Sequence, residues 1–172
     1  DWIAPSDDFE QNPYWVVNRI RSRSLRNRVM ASFTADWKVN GWLRIRARGN
    51  VDHIDDKVRQ RFYASTAPAL AGNNGRYIES GYSETLFNGE VLALFDRRFT
   101  PDWTFSATVG VSLNDRTVNS LRIDSKTASL YYPNVFNVAN IVMNSSAYVD
   151  EQIDARRQIQ SLFATASVKY AE

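Results

Sequence analysis

The stretch RNRVMASFTADWKV (26–39) alternates without a break. Its odd positions are Val29, Ala31, Phe33, Ala35, Trp37 and Val39, and its even positions are Arg26, Arg28, Met30, Ser32, Thr34, Asp36 and Lys38. A helix would return its apolar residues every three or four positions, so period two means a strand with one apolar and one polar face. GWLRIRARGNV (41–51) keeps the same parity: Leu43, Ile45, Ala47, Gly49 and Val51 are odd, while Trp42, Arg44, Arg46, Arg48 and Asn50 are even. Three alternating arginines fit either a nucleic-acid patch or the wet face of a strand whose other face meets something greasy. Here composition decides. The 172 residues hold 21 basic and 19 acidic side chains, a net charge of +2, without the basic excess of a nucleic-acid binder. Nor do stacking aromatics interleave with the arginines on their face. The wet-strand reading stands, with Asp36 and Glu90 as expected cross-strand partners.

The same alternation, with a few exceptions, predicts five strands at 26–39, 42–62, 77–99, 103–115 and 156–171, and no convincing amphipathic helix. Leu92, Leu94 and Phe163 fall on the wrong face. Connections alternate in length. Short turns are expected at Val39-Asn40-Gly41 and at Thr100-Pro101-Asp102, and long ones at 64–76 and 116–155. A three-residue loop at 39–41 pairs Lys38 with Trp42 and keeps the faces matched, with Gly41 in the left-handed conformation.

Trp37, Trp42, Phe99, Trp103 and Tyr170 gather at the short-turn ends of the strands. Short turns at one end, long loops at the other and a girdle of aromatics are features of an outer-membrane barrel. The alternative is a soluble β-barrel or β-sandwich that binds a small ligand in its interior, with the tryptophans capping its core. The chain has no cysteine, hence no disulfide. It has no run of 18 apolar residues, which leaves a membrane barrel open. DWIAPSDDFE, at the start, is acidic and unlike a signal peptide. Five strands cannot close a membrane barrel, which takes about eight. The expected fold is therefore all-β, an antiparallel up-and-down meander over 1–172 that forms part of a large transmembrane β-barrel.

QNPYWVVNRI (11–20), the strand pair beginning RNRVMASFTADWKVNGWLRIRARGNVD, and RRQIQSLFATASVKYAE (156–172) resemble the barrel of SusC/RagA-like TonB-dependent transporters. That family carries an NPYW stretch, a WL..RARG..D strand and a QSLFATA..GY strand. SVKY stands here where the family often has a glycine. The plug domain, the TonB-contacting segment and the closing strand have no counterpart in these residues. The resemblance implies residence in the bacterial outer membrane and energised import of a large nutrient such as an oligosaccharide or peptide. Its implied partners are a SusD-like surface lipoprotein, outer-membrane lipid, and the TonB complex, reached through other parts of the protein.

No catalytic constellation is legible, so no enzyme and no cofactor are expected. His53 is the only histidine, and DHIDD lacks the spacing and glycine of an EF-hand loop, so no metal is assigned. Glu79 and Glu84 are isolated carboxylates, not an acid pair for glycoside chemistry. Candidate substrate or partner contacts are the loop aromatics Tyr14, Trp15, Tyr131, Tyr132 and Phe136, whose flat faces suit sugar or peptide; the competing reading is packing of the loops. Arg44, Arg46 and Arg48 are expected to face the lumen. The apolar content of 116–155 predicts an ordered extracellular loop at 126–150.

Overall fold

A computed structural model describes residues 11–144 and 146–171. The acidic start at 1–10, Ser145 and the final Glu172 lie outside the described residues. The order of elements is α1 (Pro13–Arg19), β1 (Ile20–Lys38), β2 (Leu43–Phe62), β3 (Arg76–Thr100), β4 (Trp103–Asp124), a 3-10 turn (Val138–Asn140) and β5 (Tyr148–Tyr170). The strands form one antiparallel sheet in the order β1-β2-β3-β4-β5, an up-and-down meander. No helix among the described residues is long and apolar enough to cross a membrane, which says nothing of a β-barrel.

Three expectations are corrected. First, NPYW opens a helix: Pro13 takes the first turn and the Asn12 side chain accepts the Tyr14 N–H at 2.9 Å. Asn-Pro is a recognisable helix start, but seven residues are too few for periodicity to register. Second, the strands outrun their alternation. β1 begins at Ile20, β4 continues to Asp124 and β5 starts at Tyr148, so the long connection is 125–147 instead of 116–155. Alternation reports side-chain burial. Where apolar residues fall on both faces it lapses, while the backbone ladder continues. Third, the turn after β1 closes one residue later than expected. Val39 N–H donates to the Leu43 carbonyl at 3.0 Å, and the Asn40 side chain accepts the Trp42 and Leu43 N–H groups at 3.0 and 2.9 Å. The only described glycine at positive φ is Gly75, not Gly41, because the Asn40 carbonyl closes the turn without a left-handed residue. The register moves by two residues, so parity survives. The second turn is Pro101-Asp102, with Thr100 the last residue of β3.

Two compact units share the strands. The turn-bearing unit comprises 28–53, 84–117 and 155–171. Its apolar side chains lie at odd positions of β1 to β4 and even positions of β5, and Trp103 packs on Tyr170 with ring centroids 4.7 Å apart. Its other face carries cross-strand polar pairs. The exceptions Leu92 and Phe163 flank Gly110, where a Cβ would collide with the Phe163 ring and stand 2.6 Å from Leu92 Cδ2. A small apolar island thus fills the space left by a residue with no side chain. Gly110→Ala is expected to cost about 1–3 kcal/mol through overpacking. Gly49→Ala, whose Cβ meets nothing within 4 Å, is the neutral control when urea midpoints of the full-length protein are compared.

The loop-bearing unit comprises 11–27, 54–83 and 118–154. Its core is Tyr77, Leu130 and Ile141, with Ile123, Phe136, Val138 and Ala147 packed around them. In β5 Asp154 has φ +49° and its N–H donates to Asn119 Oδ1 at 2.7 Å, which breaks the strand's alternation.

Candidate functional site

The aromatics singled out from the sequence divide into two groups. Phe136 is packing: its ring centroid lies 5.0 Å from that of Tyr63 and 6.4 Å from that of Tyr77, with the Arg61 guanidinium 6.0 Å away over its face. Trp15 is also anchored, its indole N–H donating to Thr66 Oγ1 at 3.0 Å and the Arg19 guanidinium lying 5.9 Å over its ring. Tyr14, Tyr131 and Tyr132 are exposed, at 82, 62 and 70 %. Among the described residues no ring contact joins Tyr14 to the loop pair.

Tyr131 and Tyr132 stand on a loop held by polar groups the sequence reading missed. Asn140 is buried; its side chain accepts the Tyr132 N–H at 2.9 Å and donates to the Tyr132 and Val135 carbonyls at 2.8 and 2.7 Å. The Tyr131 N–H donates to the Asn140 carbonyl at 2.9 Å. Asn74 donates to the Leu130 carbonyl at 2.7 Å, and Asn134 accepts from Ala64 N–H at 2.8 Å, so the two long connections are tied together. Gly72 permits their approach, since a Cβ there would stand 2.9 Å from the Thr127 carbonyl oxygen. Asparagines buried in a loop are hard to tell from solvent-facing ones in sequence, because the residue type favours both.

Asp124, at the end of β4, anchors this assembly. Only 2 % exposed, it accepts a two-armed bond from Arg76 at 2.8 and 2.8 Å and the Lys126 N–H at 2.8 Å. Arg76 also donates to the Leu70 carbonyl at 3.0 Å. Burial pushes the Asp124 carboxyl up, but the Arg76 bonds, the Lys126 N–H and the charges of Arg76 and Arg122 outweigh it, holding the group below the usual aspartate range.

In the turn-bearing unit, Arg46 pairs with Asp36 at 2.8 Å and Arg48 with Glu90 at 3.5 Å, the partners expected from the strand pattern. Arg28 pairs with Asp52 at 2.5 Å and Arg116 with Glu84 at 2.5 Å. Ser106 donates to Asp96 at 3.1 Å, and Asn114 bonds Asn88. Arg44 has no carboxylate partner among the described residues. His53 Nδ1 lies 2.9 Å from Thr85 Oγ1. The carboxylates of DHIDD go to separate cations: Asp52 to Arg28, Asp55 to Lys57 and Asp56 to Arg26.

No protein-family profile matches the chain, and no curated protein does. Among solved structures it is similar to a chain in the structure of the RagAB peptide transporter, with a TM-score of 0.75 and 14% sequence identity over 93% of this chain and 17% of that one. It thus spans about a sixth of the length of the protein it matches. At this identity the likeness shows the fold, a five-stranded meander shared with a transporter component.

Proposed function

We propose that the chain is a wall segment of a TonB-dependent outer-membrane transporter that imports a large nutrient, a peptide or an oligosaccharide, with a SusD-like lipoprotein as its surface partner. One observation carries the reading: the division of faces in the turn-bearing unit. The apolar face runs from Trp37 to Val29 in β1 and from Trp103 to Leu113 in β4, nine and eleven residues. That is about 26–33 Å of strand. At a tilt of about 40° it covers about 20–25 Å of membrane normal, against a band of about 25 Å in outer-membrane barrels. Aromatics stand at one margin, where the Arg97 guanidinium lies over the Trp42 and Phe99 rings at 6.0 and 5.3 Å. The band ends at polar residues: the Asp115–Arg156 ion pair and the His53–Thr85 contact. The opposite face is ion-paired and suits a wet lumen, with Arg44, Arg46 and Arg48 on it.

A soluble sandwich would need a second layer over this band. Among the described residues nothing covers Phe33 or Leu162, 66 and 77 % exposed. β1 and β5 are both edges of the sheet, 19 and 23 residues long. Edges of that length call for neighbouring strands. In this reading Tyr131 and Tyr132, fixed on their loop, are offered to nutrient or lid outside the cell.

Cysteine placement in the full-length protein in native membranes tests the reading. Phe33→Cys, Val109→Cys and Leu162→Cys should react with a lipid-soluble maleimide and resist a charged one. Arg44→Cys and Arg48→Cys should do the reverse. Equal reaction of both sets with the charged reagent would mean that the apolar face is not in lipid.

A further inference from the structure

Beside the first short turn, two cations of the ion-paired face meet without a carboxylate partner. Two contacts fix the register there: Val39 N–H to the Leu43 carbonyl at 3.0 Å, and Asp36 to Arg46 at 2.8 Å. Together they place Lys38 directly opposite Arg44 on the same face. Like charges opposite one another across strands are destabilising, and neither has a carboxylate within ion-pair distance among the described residues. Both line a recess of about 660 Å³. Its one lining carboxylate, Asp96, is engaged by Ser106 at 3.1 Å. The bond from Asp96 N–H to the Trp42 carbonyl, 2.9 Å, sets β3 so that Leu94 follows Arg44 across the recess, with Thr108 beyond it on β4. The recess therefore offers two cations outside ion-pair distance of any described carboxylate, the apolar Leu94 side chain, and hydroxyl and amide groups from Thr108 and Asn40, while its third cation, Arg46, is held by Asp36.

We propose that this recess binds acidic peptide, seating a side-chain carboxylate between the Lys38 ammonium and the Arg44 guanidinium, with a neighbouring apolar side chain on Leu94. The proposal rests on the reading of the chain as the wall of a peptide transporter. A carboxylate here removes a like-charge repulsion and gains charge-assisted hydrogen bonds, two-armed from the guanidinium. A neutral peptide gains neither.

The test uses the full-length protein in detergent and two rhodamine-labelled peptides of equal length and sequence, one carrying Glu where the other carries Gln. Anisotropy should show the Glu peptide binding about tenfold tighter, the scale of one charge-assisted hydrogen bond, with the advantage lost as salt is raised to 0.5 M. Arg44→Gln and Lys38→Gln should each abolish most of the preference for the Glu peptide over the Gln peptide. Both side chains are exposed, so these variants should fold, and without peptide they should melt no lower than wild type because a repulsion has been relieved. Equal affinity for the two peptides, or an unchanged preference in both variants, overturns the proposal and leaves the transporter reading intact. A lower melting temperature in both variants also overturns it, because the recess would then already hold a carboxylate of the protein itself. Binding of neither peptide by the wild type overturns both this proposal and peptide as the nutrient.

Discussion

Val109→Arg in the full-length protein is expected, on the proposed reading of a lipid-facing apolar face, to cost about 2–4 kcal/mol of stability, the scale for a cation near the bilayer midplane of a barrel strand. Val109 lies midway along the apolar positions Phe105, Ala107, Val111 and Leu113 of β4, and is 43 % exposed in this sheet. Nothing among the described residues can pair with an arginine there. Phe33→Arg in β1 should behave alike. Arg46→Ala, on the other face, removes an exposed ion pair, and such pairs contribute little. Urea titration of the protein refolded into vesicles measures all three. If Arg46→Ala unfolded the barrel and Val109→Arg did not, the two faces would be assigned the wrong way round.

Asp124→Asn should free the long loop while sparing the strands. The substitution keeps the shape of a buried side chain but removes the charge that holds the Arg76 fork, leaving that guanidinium with the Leu70 carbonyl. Removing one partner of a buried pair leaves the other uncompensated. With Arg76 partly exposed, the expected loss is about 2–4 kcal/mol of local stability. Hydrogen exchange across 125–147 should accelerate by one to two orders of magnitude, while exchange in β2 and β3 near the short turns stays slow. Acid should reproduce the effect in wild type. The Asp124 carboxyl titrates below its ordinary range when folded, so its contribution is complete above that range and is lost as pH falls through the folded value. Loop protection should therefore hold from neutral pH to about pH 4 and decline below it; in Asp124→Asn that acid dependence should vanish. Unchanged loop exchange in the variant would assign the anchoring to Asn140 and the apolar cluster alone.

The strands near the short turns were legible in the sequence because one face is apolar and the other polar, and side-chain periodicity reports that contrast. It carried the parity of all five strands, the partners Asp36 and Glu90 for two of the arginines, and an antiparallel meander. It also flagged Leu92 and Phe163 as misfits, though only the fold explains them: they converge on Gly110 from two neighbouring strands, a meeting of residues distant in sequence. The extensions of β4 to Asp124 and of β5 back to Tyr148 were illegible because apolar side chains fall on both faces there, Val118 on one and Leu121 and Ile123 on the other in β4, so no alternation survives while the backbone bonds continue. Among the loop aromatics, sequence could not separate the anchored Phe136 and Trp15 from the exposed Tyr131 and Tyr132, since an aromatic ring suits a core and a binding surface equally well. That choice fell to the contacts of Tyr63, Tyr77, Thr66 and Asn140, which come together only when the two long connections fold on each other. The pairing of Lys38 with Arg44 was likewise a tertiary decision. Parity put both on one face, but a two-residue shift in register, set by the Asn40 side chain closing the turn, made them neighbours.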